Sequence, residues 1–129
     1  MSEIPAGLLY TEEHEYLKAA GAAGEYFVGI TDYAQGELGD IVFVELPKIG
    51  AKFARMDTFG TVEAVKAVSD LYMPVSAEVL DVNGELADNP AVVNSDPYGG
   101  GWMIRIRLTE ASELDSLFSS DEYAKHIEG

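Results

Sequence analysis

The clearest pattern along the chain is a strict alternation. Leu71, Met73, Val75, Ala77 and Val79 are apolar, and Asp70, Tyr72, Pro74, Ser76 and Glu78 fall between them. A period of two over that length predicts a half-buried strand. Just upstream, Thr58 to Val65 is rich in β-branched residues and predicts a second strand. One basic residue, Lys66, stands between the two runs. Together they read as a hairpin over about residues 58–80 that presents a primary amine at its tip.

The same reading extends to both sides. Leu8 to Tyr10 is a short apolar start that Tyr16-Leu17-Lys18 continues as a first strand. Gly21 to Gly24 is a turn, and Glu25 to Ile30 the return strand, with Tyr26, Val28 and Ile30 on one face. Thr31 is suited to cap a short helix, with Asp32 in its first turn, Ala34 and Leu38 four apart, and Gly39 at its end. Asp40 to Leu46 is apolar at Ile41, Val42, Phe43, Val44 and Leu46, which predicts a strand covered on both faces. Pro47 to Gly50 closes it.

Further on, Asn83-Gly84 predicts a turn, and Asp88-Asn89-Pro90 and Asp96 to Gly101 bound a loop-rich region. Trp102, Ile104, Ile106 and Leu108 alternate with Met103, Arg105 and Arg107 in another half-buried strand. Two Ser-x-x-acid pairs, Ser112 with Asp115 and Ser119 with Glu122, predict two helix starts within about residues 112–128. Leu114, Leu117 and Phe118 make one apolar stripe there, and Tyr123 and Ile127 a narrower one. The expected class is mainly β with short helices, two of them near the C-terminus, in one domain over residues 1–129.

Composition narrows the chemistry. With 47% apolar residues and 13 glycines, the chain reads as turn-rich and globular. It contains no cysteine, which excludes disulfides, thiolate metal sites and cysteine nucleophiles. The two histidines, His14 and His126, lie near opposite ends and lack metal-ligand spacing. No phosphate loop or nucleophile elbow is present. Eight basic against 23 acidic residues give a net charge of −15, which argues against nucleic acid. No apolar run is long enough to span a bilayer, and the N-terminus shows neither a basic region nor a long apolar segment. A cytoplasmic, non-membrane monomer without catalytic groups of its own is expected.

Lys66 therefore carries the interest. It could be a solvated turn residue, a Schiff-base lysine, or the attachment point of a swinging cofactor such as lipoamide or biotin. A Schiff-base role needs a desolvating pocket or a neighbouring cation, whereas the nearest charges in sequence are Glu63 and Asp70. Attachment needs only an accessible amine on a rigid projection, and Ala64 and Ala67 leave the approach open.

The stretch Gly60 to Val79 resembles the lipoyl-attachment segment of glycine cleavage system H-proteins, in which a Glu precedes the modified lysine by three and Ser-Asp follows it. Here these are Glu63, Lys66, Ser69 and Asp70. The resemblance also covers Tyr10 to Leu17, Val28 to Pro47 and Val93 to Ile106, in the same order. It implies a barrel-sandwich hybrid of the lipoyl and biotinyl type, with lipoate joined covalently to Lys66. It also implies a non-catalytic shuttle that takes an aminomethyl group from glycine decarboxylase (P-protein) to aminomethyltransferase (T-protein). Dihydrolipoamide dehydrogenase (L-protein) then reoxidises the arm, and a lipoate ligase or lipoyltransferase installs it.

In such a shuttle the cargo amine needs a carboxylate in a sheltering cleft. The family's His-Glu-aromatic motif maps that role to Glu15, with His14 beside it and Asp70 near the base of the arm. The chain departs from the commoner family pattern at Tyr16, Ala64 and Ala77, where Trp, Ser and Gly are frequent; the alternating face makes Ala77 an ordinary strand residue. Two neighbouring roles stay open from sequence: a lipoyl relay protein using the same lysine, and a biotin carrier, whose acceptor is typically flanked by methionines where Lys66 has Val65 and Ala67.

Overall fold

A computed structural model describes residues 3–128. Among these residues, nine strands form two sheets. Strands β1 (Leu9–Tyr10), β2 (Glu15–Ala19), β3 (Glu25–Ile30), β5 (Lys52–Phe53), β8 (Ala77–Val82) and β9 (Ile104–Leu108) make a six-stranded sheet in the order β1-β2-β3-β9-β8-β5. Strands β4 (Ile41–Glu45), β6 (Thr58–Ala64) and β7 (Val68–Tyr72) make a three-stranded sheet in the order β4-β6-β7. Every pairing is antiparallel. Four short α-helices, α1 (Asp32–Leu38), α2 (Glu85–Asp88), α3 (Val92–Ser95) and α4 (Ser120–Glu128), complete the fold with a 3-10 helix at Ala111–Ser116.

The class expected from sequence holds: mainly β, with few and short helices. The sheets do not close into a barrel; their inner faces share one core. Leu17, Val28, Ile104 and Ile106 enter it from the larger sheet and Val44, Val62 and Leu71 from the smaller, each under 9% exposed. Gly60 lets the smaller sheet close. A Cβ there would collide with the carbonyl oxygen of Glu45, so only glycine allows β4 to approach β6 at that point.

The long alternation from Leu71 to Val79 is two strands, not one. Leu71, Met73, Val75, Ala77 and Val79 are all buried, as the pattern requires. But β7 ends at Tyr72, and β8 begins at Ala77 in the other sheet. The buried link Met73-Pro74-Val75 carries the chain across the core, so one apolar face serves both sheets in turn.

Other expectations need correcting. Residues 8–18 are an antiparallel pair, with Leu9 opposite Leu17, and not one continuous strand. Strand β4 is open on one side: Val42 and Phe43 are 55% and 48% exposed. The cause is a bulge between Ile41 and Phe43 that breaks the alternation, so both side chains face outward. The turn expected at Asn83-Gly84 is present and leads into helix α2, whereas the region around Ala91 to Asn94, expected to be loop, contains α3.

Thr31 caps α1 as expected, its Oγ1 accepting from the Ala34 N–H at 3.2 Å, and Gly39 ends the helix. Of the two Ser-x-x-acid pairs, only Ser119–Glu122 forms the reciprocal cap, with bonds of 2.9 and 3.2 Å. Ser112 lies inside the 3-10 helix, which starts at Ala111 without a side-chain cap. Ala77 has no left-handed backbone; among the described non-glycine residues only His14 and Met56 do, with φ of 71° and 72°.

Candidate functional site

Lys66 is exposed at the tip of the β6–β7 hairpin. The turn is four residues, Ala64 to Ala67. The Ala64 N–H donates to the Ala67 carbonyl at 2.8 Å, and the Val65 N–H donates to the Asp40 carbonyl at 3.1 Å. Neither Val65 nor Lys66 adopts a left-handed backbone, so the tip forms from ordinary residues without strain. The lysine stem lies over Gly39 at the end of α1. That glycine has φ of 83°, and a Cβ on it would sit 3.9 Å from both Cδ and Cε of Lys66.

Beside the hairpin opens a cleft of about 290 Å³. Helix α1 forms one wall through Tyr33, Ala34, Glu37 and Leu38; Val62 of β6 and Ser69, Asp70 and Leu71 of β7 form another. Glu13, His14 and Glu15 close it, with Ile30 behind. Four lining residues are acidic and none is lysine or arginine, so the cleft suits a cation on an apolar stem.

Glu15 is the unusual member, a carboxyl group only 2% exposed. Its Oε1 accepts from Thr11 Oγ1 at 3.0 Å, and its Oε2 accepts from the Tyr72 N–H at 3.2 Å. Thr11 Oγ1 in turn accepts from the Glu15 N–H at 3.1 Å. No salt bridge engages Glu15 among the described residues. Burial pushes its pKa up to about 8, against the lowering effect of the two hydrogen bonds. Burial of this kind favours the protonated carboxyl, and an arriving positive charge would favour the carboxylate.

His14 sits beside it with left-handed backbone. Its Nδ1 is 2.7 Å from the Tyr123 hydroxyl of α4, and that hydroxyl is 2.8 Å from Thr31 Oγ1 at the cap of α1. Its ring packs at 5.0 Å from Tyr33 and 5.8 Å from His126. Burial lowers the His14 pKa, with the nearby His126 adding to the effect. Tyr123 itself is fully buried and stacks on Tyr10 at 4.7 Å.

The structure thus brings His14, Glu15, Ser69 and Asp70 to one cleft next to Lys66. Glu63 stands apart. It pairs with Phe43 on one side and Val68 on the other, on the outer face of the small sheet. Thr11, Tyr33, Glu37, Tyr72 and Tyr123 were not foreseen from sequence. Their roles come from contacts across the fold, and no local pattern marks them. Among the described residues no cluster of His, Asp or Glu is placed to hold a metal ion, and no helix is long and apolar enough to cross a membrane.

Comparison with known proteins points the same way. Residues 8–129 match the family model for the glycine cleavage H-protein. The chain belongs to that family. A glycine cleavage system H protein of Rubrobacter xylanophilus is 53% identical over 128 residues, covering 99% of this chain and 98% of the relative. One from Halothermothrix orenii is 51% identical over 125 residues, covering 97% and 96%. The crystal structure of a glycine cleavage system H protein from Mycobacterium marinum superposes with a TM-score of 0.84 at 38% identity, over 98% of this chain and all of that one. As a member of the family, the chain is a carrier component of the glycine cleavage system.

Proposed function

We propose that residues 1–129 act as one lipoyl-carrier domain with lipoate joined as an amide to Lys66 Nζ, and that the carrier has no catalytic group of its own. Its cargo is an aminomethyl group, received from glycine decarboxylase and delivered to aminomethyltransferase. Dihydrolipoamide dehydrogenase restores the arm, and a lipoate ligase or lipoyltransferase installs it. The bacterial relatives favour the cytoplasm as the site of this cycle. One observation carries the reading: an exposed lysine on a rigid turn, with a cleft beside it whose floor is a buried, cation-free carboxyl group.

The bound cofactor supplies a dithiol that can be loaded and reoxidised; the chain supplies placement and shelter. Apolar Ile30, Leu38, Val62 and Leu71 suit a hydrocarbon arm. Glu15 suits the cargo's ammonium, to which it would present a carboxylate already held by Thr11 and Tyr72. His14 and helix α1 limit the entry of water. Ser69 and Asp70, three and four residues beyond Lys66, line the route from the tip into the cleft.

Peptide mass spectrometry after incubation with lipoate ligase, lipoate and ATP tests the assignment. The adduct is expected on Lys66 alone. Modification of Lys48 or Lys52 instead, or a Lys66→Ala protein that still accepts lipoate, would falsify it.

A further inference from the structure

The outer face of the three-stranded sheet is apolar where nothing in the fold covers it. Six large hydrophobic residues are exposed among those described, and four of them, Val42, Phe43, Val65 and Val68, surround the lysine turn. Their exposures run from 48% for Phe43 to 72% for Val65. Register places two of them in one row across the sheet, Phe43 and Val68 on either side of Glu63, while Val42 adjoins Phe43 and Val65 follows the end of β6. Val44 and Val62, one residue along, face the core instead.

The bulge in β4 is what turns Val42 outward beside Phe43, and bulges that re-aim side chains are a recurrent device near functional sites. The next row on the same face is Glu45, Thr61 and Asp70, the last on the edge strand β7, where this face borders the cleft. Apart from Lys66, the charged residues of these strands and their turn are Glu45, Glu63 and Asp70, and no ion pair engages them among the described residues. The face is apolar on both sides of a central Glu63, with Glu45 and Asp70 in the next row and the lysine at its edge.

We propose that this face, centred on Val42, Phe43, Val65 and Val68, is the seat of the enzyme that acylates Lys66. The proposal rests on the reading that Lys66 is the acylated residue. It singles out one partner by the place of its chemistry. An enzyme acting at the far end of a cofactor arm need not cover the root of that arm. An acylating enzyme must. The free amine of Lys66 has to reach the carbonyl carbon of an activated acyl donor such as lipoyl adenylate. The amide N–C bond forms as the C–O bond to AMP breaks; AMP leaves as the anion, and the amine's proton passes to solvent. Bringing those atoms within bonding distance presses the flanking patch against the enzyme, so the matching surface should be apolar with basic groups opposite Glu63, Glu45 and Asp70.

The test is the rate of Lys66 lipoylation by lipoate ligase with lipoate and ATP, followed by intact mass. The variants are Val42→Ser/Phe43→Ser together, Val68→Ser, and Glu63→Lys, with Ile49→Ser as a control at an exposed apolar residue beyond the opposite end of β4. Because Val42, Phe43, Ile49 and Val68 are between 48% and 65% exposed, thermal melts should stay near wild type. A fall in kcat/KM of about tenfold for the double variant is expected, with a smaller fall for Val68→Ser and none for Ile49→Ser. Glu63→Lys should lower the rate most at low salt. Equal kcat/KM for wild type and the folded double variant overturns the proposal. So does an unchanged lipoylation rate accompanied by a raised KM with glycine decarboxylase, or by loss of a concentration-dependent dimer. A wild-type chain that is not modified at Lys66 would instead overturn the reading beneath it.

Discussion

Tyr123 and His14, 109 positions apart in sequence, meet at 2.7 Å through hydroxyl and Nδ1. The same hydroxyl lies 2.8 Å from Thr31 Oγ1, so one buried oxygen joins the C-terminal helix, the cleft histidine and the cap of α1. Tyr123→Phe keeps the stack on Tyr10 but strips both partners of that oxygen. A loss of about 1–3 kcal/mol in urea unfolding is expected, as for any buried polar partner left unpaired. Lipoylation should proceed as in wild type, since Lys66 is untouched. Faster loss of the aminomethyl cargo in the variant would show that the cleft wall depends on this oxygen.

Glu15 is expected to make stability fall as pH rises. Its folded pKa of about 8 lies above the 4.5 of an unperturbed glutamate. Below the lower value both states hold the proton, and the stability is fully present. Between the two, the unfolded chain releases the proton while the folded chain keeps it, so stability falls by about 1.4 kcal/mol per pH unit until the folded group ionises. Glu15→Gln removes this slope. Denaturation at pH 5, 6, 7 and 8 should show the variant gaining on wild type toward alkaline pH; parallel curves would mean that Glu15 is ionised in the folded protein.

Met56 is held at φ of 72° in the turn Ala54 to Asp57, where its N–H donates to the Met73 carbonyl at 2.8 Å. Its side chain is 48% exposed and adds little packing. A left-handed conformation costs a non-glycine residue about 1–2 kcal/mol, while glycine loses roughly 0.5–1 kcal/mol in extra chain entropy. Met56→Gly should therefore stabilise by about 0.5–1 kcal/mol. A thermal melt showing a lower Tm for the variant would mean that the Met56 side chain contributes more than its exposure suggests.

The net charge of −15 should appear in kinetics with basic partners. Steering of this kind weakens as the Debye length shrinks from about 30 Å at 0.01 M salt to a few ångströms near 1 M. The apparent KM of glycine decarboxylase for the lipoylated chain is expected to rise between about 0.01 and 0.3 M salt. The enzyme's own salt tolerance must be controlled. A flat KM would assign the acidity to solubility.

Legibility followed the range of the forces. The caps of α1 were readable because each acts over three or four residues, Thr31 on Ala34 and Gly39 on Gln35. The hairpin around Lys66 was readable for the same reason. The two Ser-x-x-acid pairs looked alike in sequence, yet only Ser119–Glu122 closed. The link from Met73 to Val75 kept a strand's alternation while changing sheets, which no periodicity can show. The open face of β4 stayed hidden because a bulge is set by its partner strand. Glu15 was placed by resemblance, but its burial depends on a backbone N–H 57 residues away. A carboxylate pattern in the sequence does not tell a solvated glutamate from a protonated one.

The turn at Lys66 has a kinetic consequence. Its backbone is fixed at Ala64, Val65 and Ala67, so an arm rooted there can move only by bond rotation in the side chain and what it carries. The cleft mouth begins three residues further on, at Ser69. Arm and cleft are then tethered reactants, and a short flexible tether gives an effective concentration on the order of millimolar. A cleft of only millimolar intrinsic affinity would be occupied half the time. Shelter needs no tight binding, and an active site that grips the arm somewhat better can empty the cleft by competition alone.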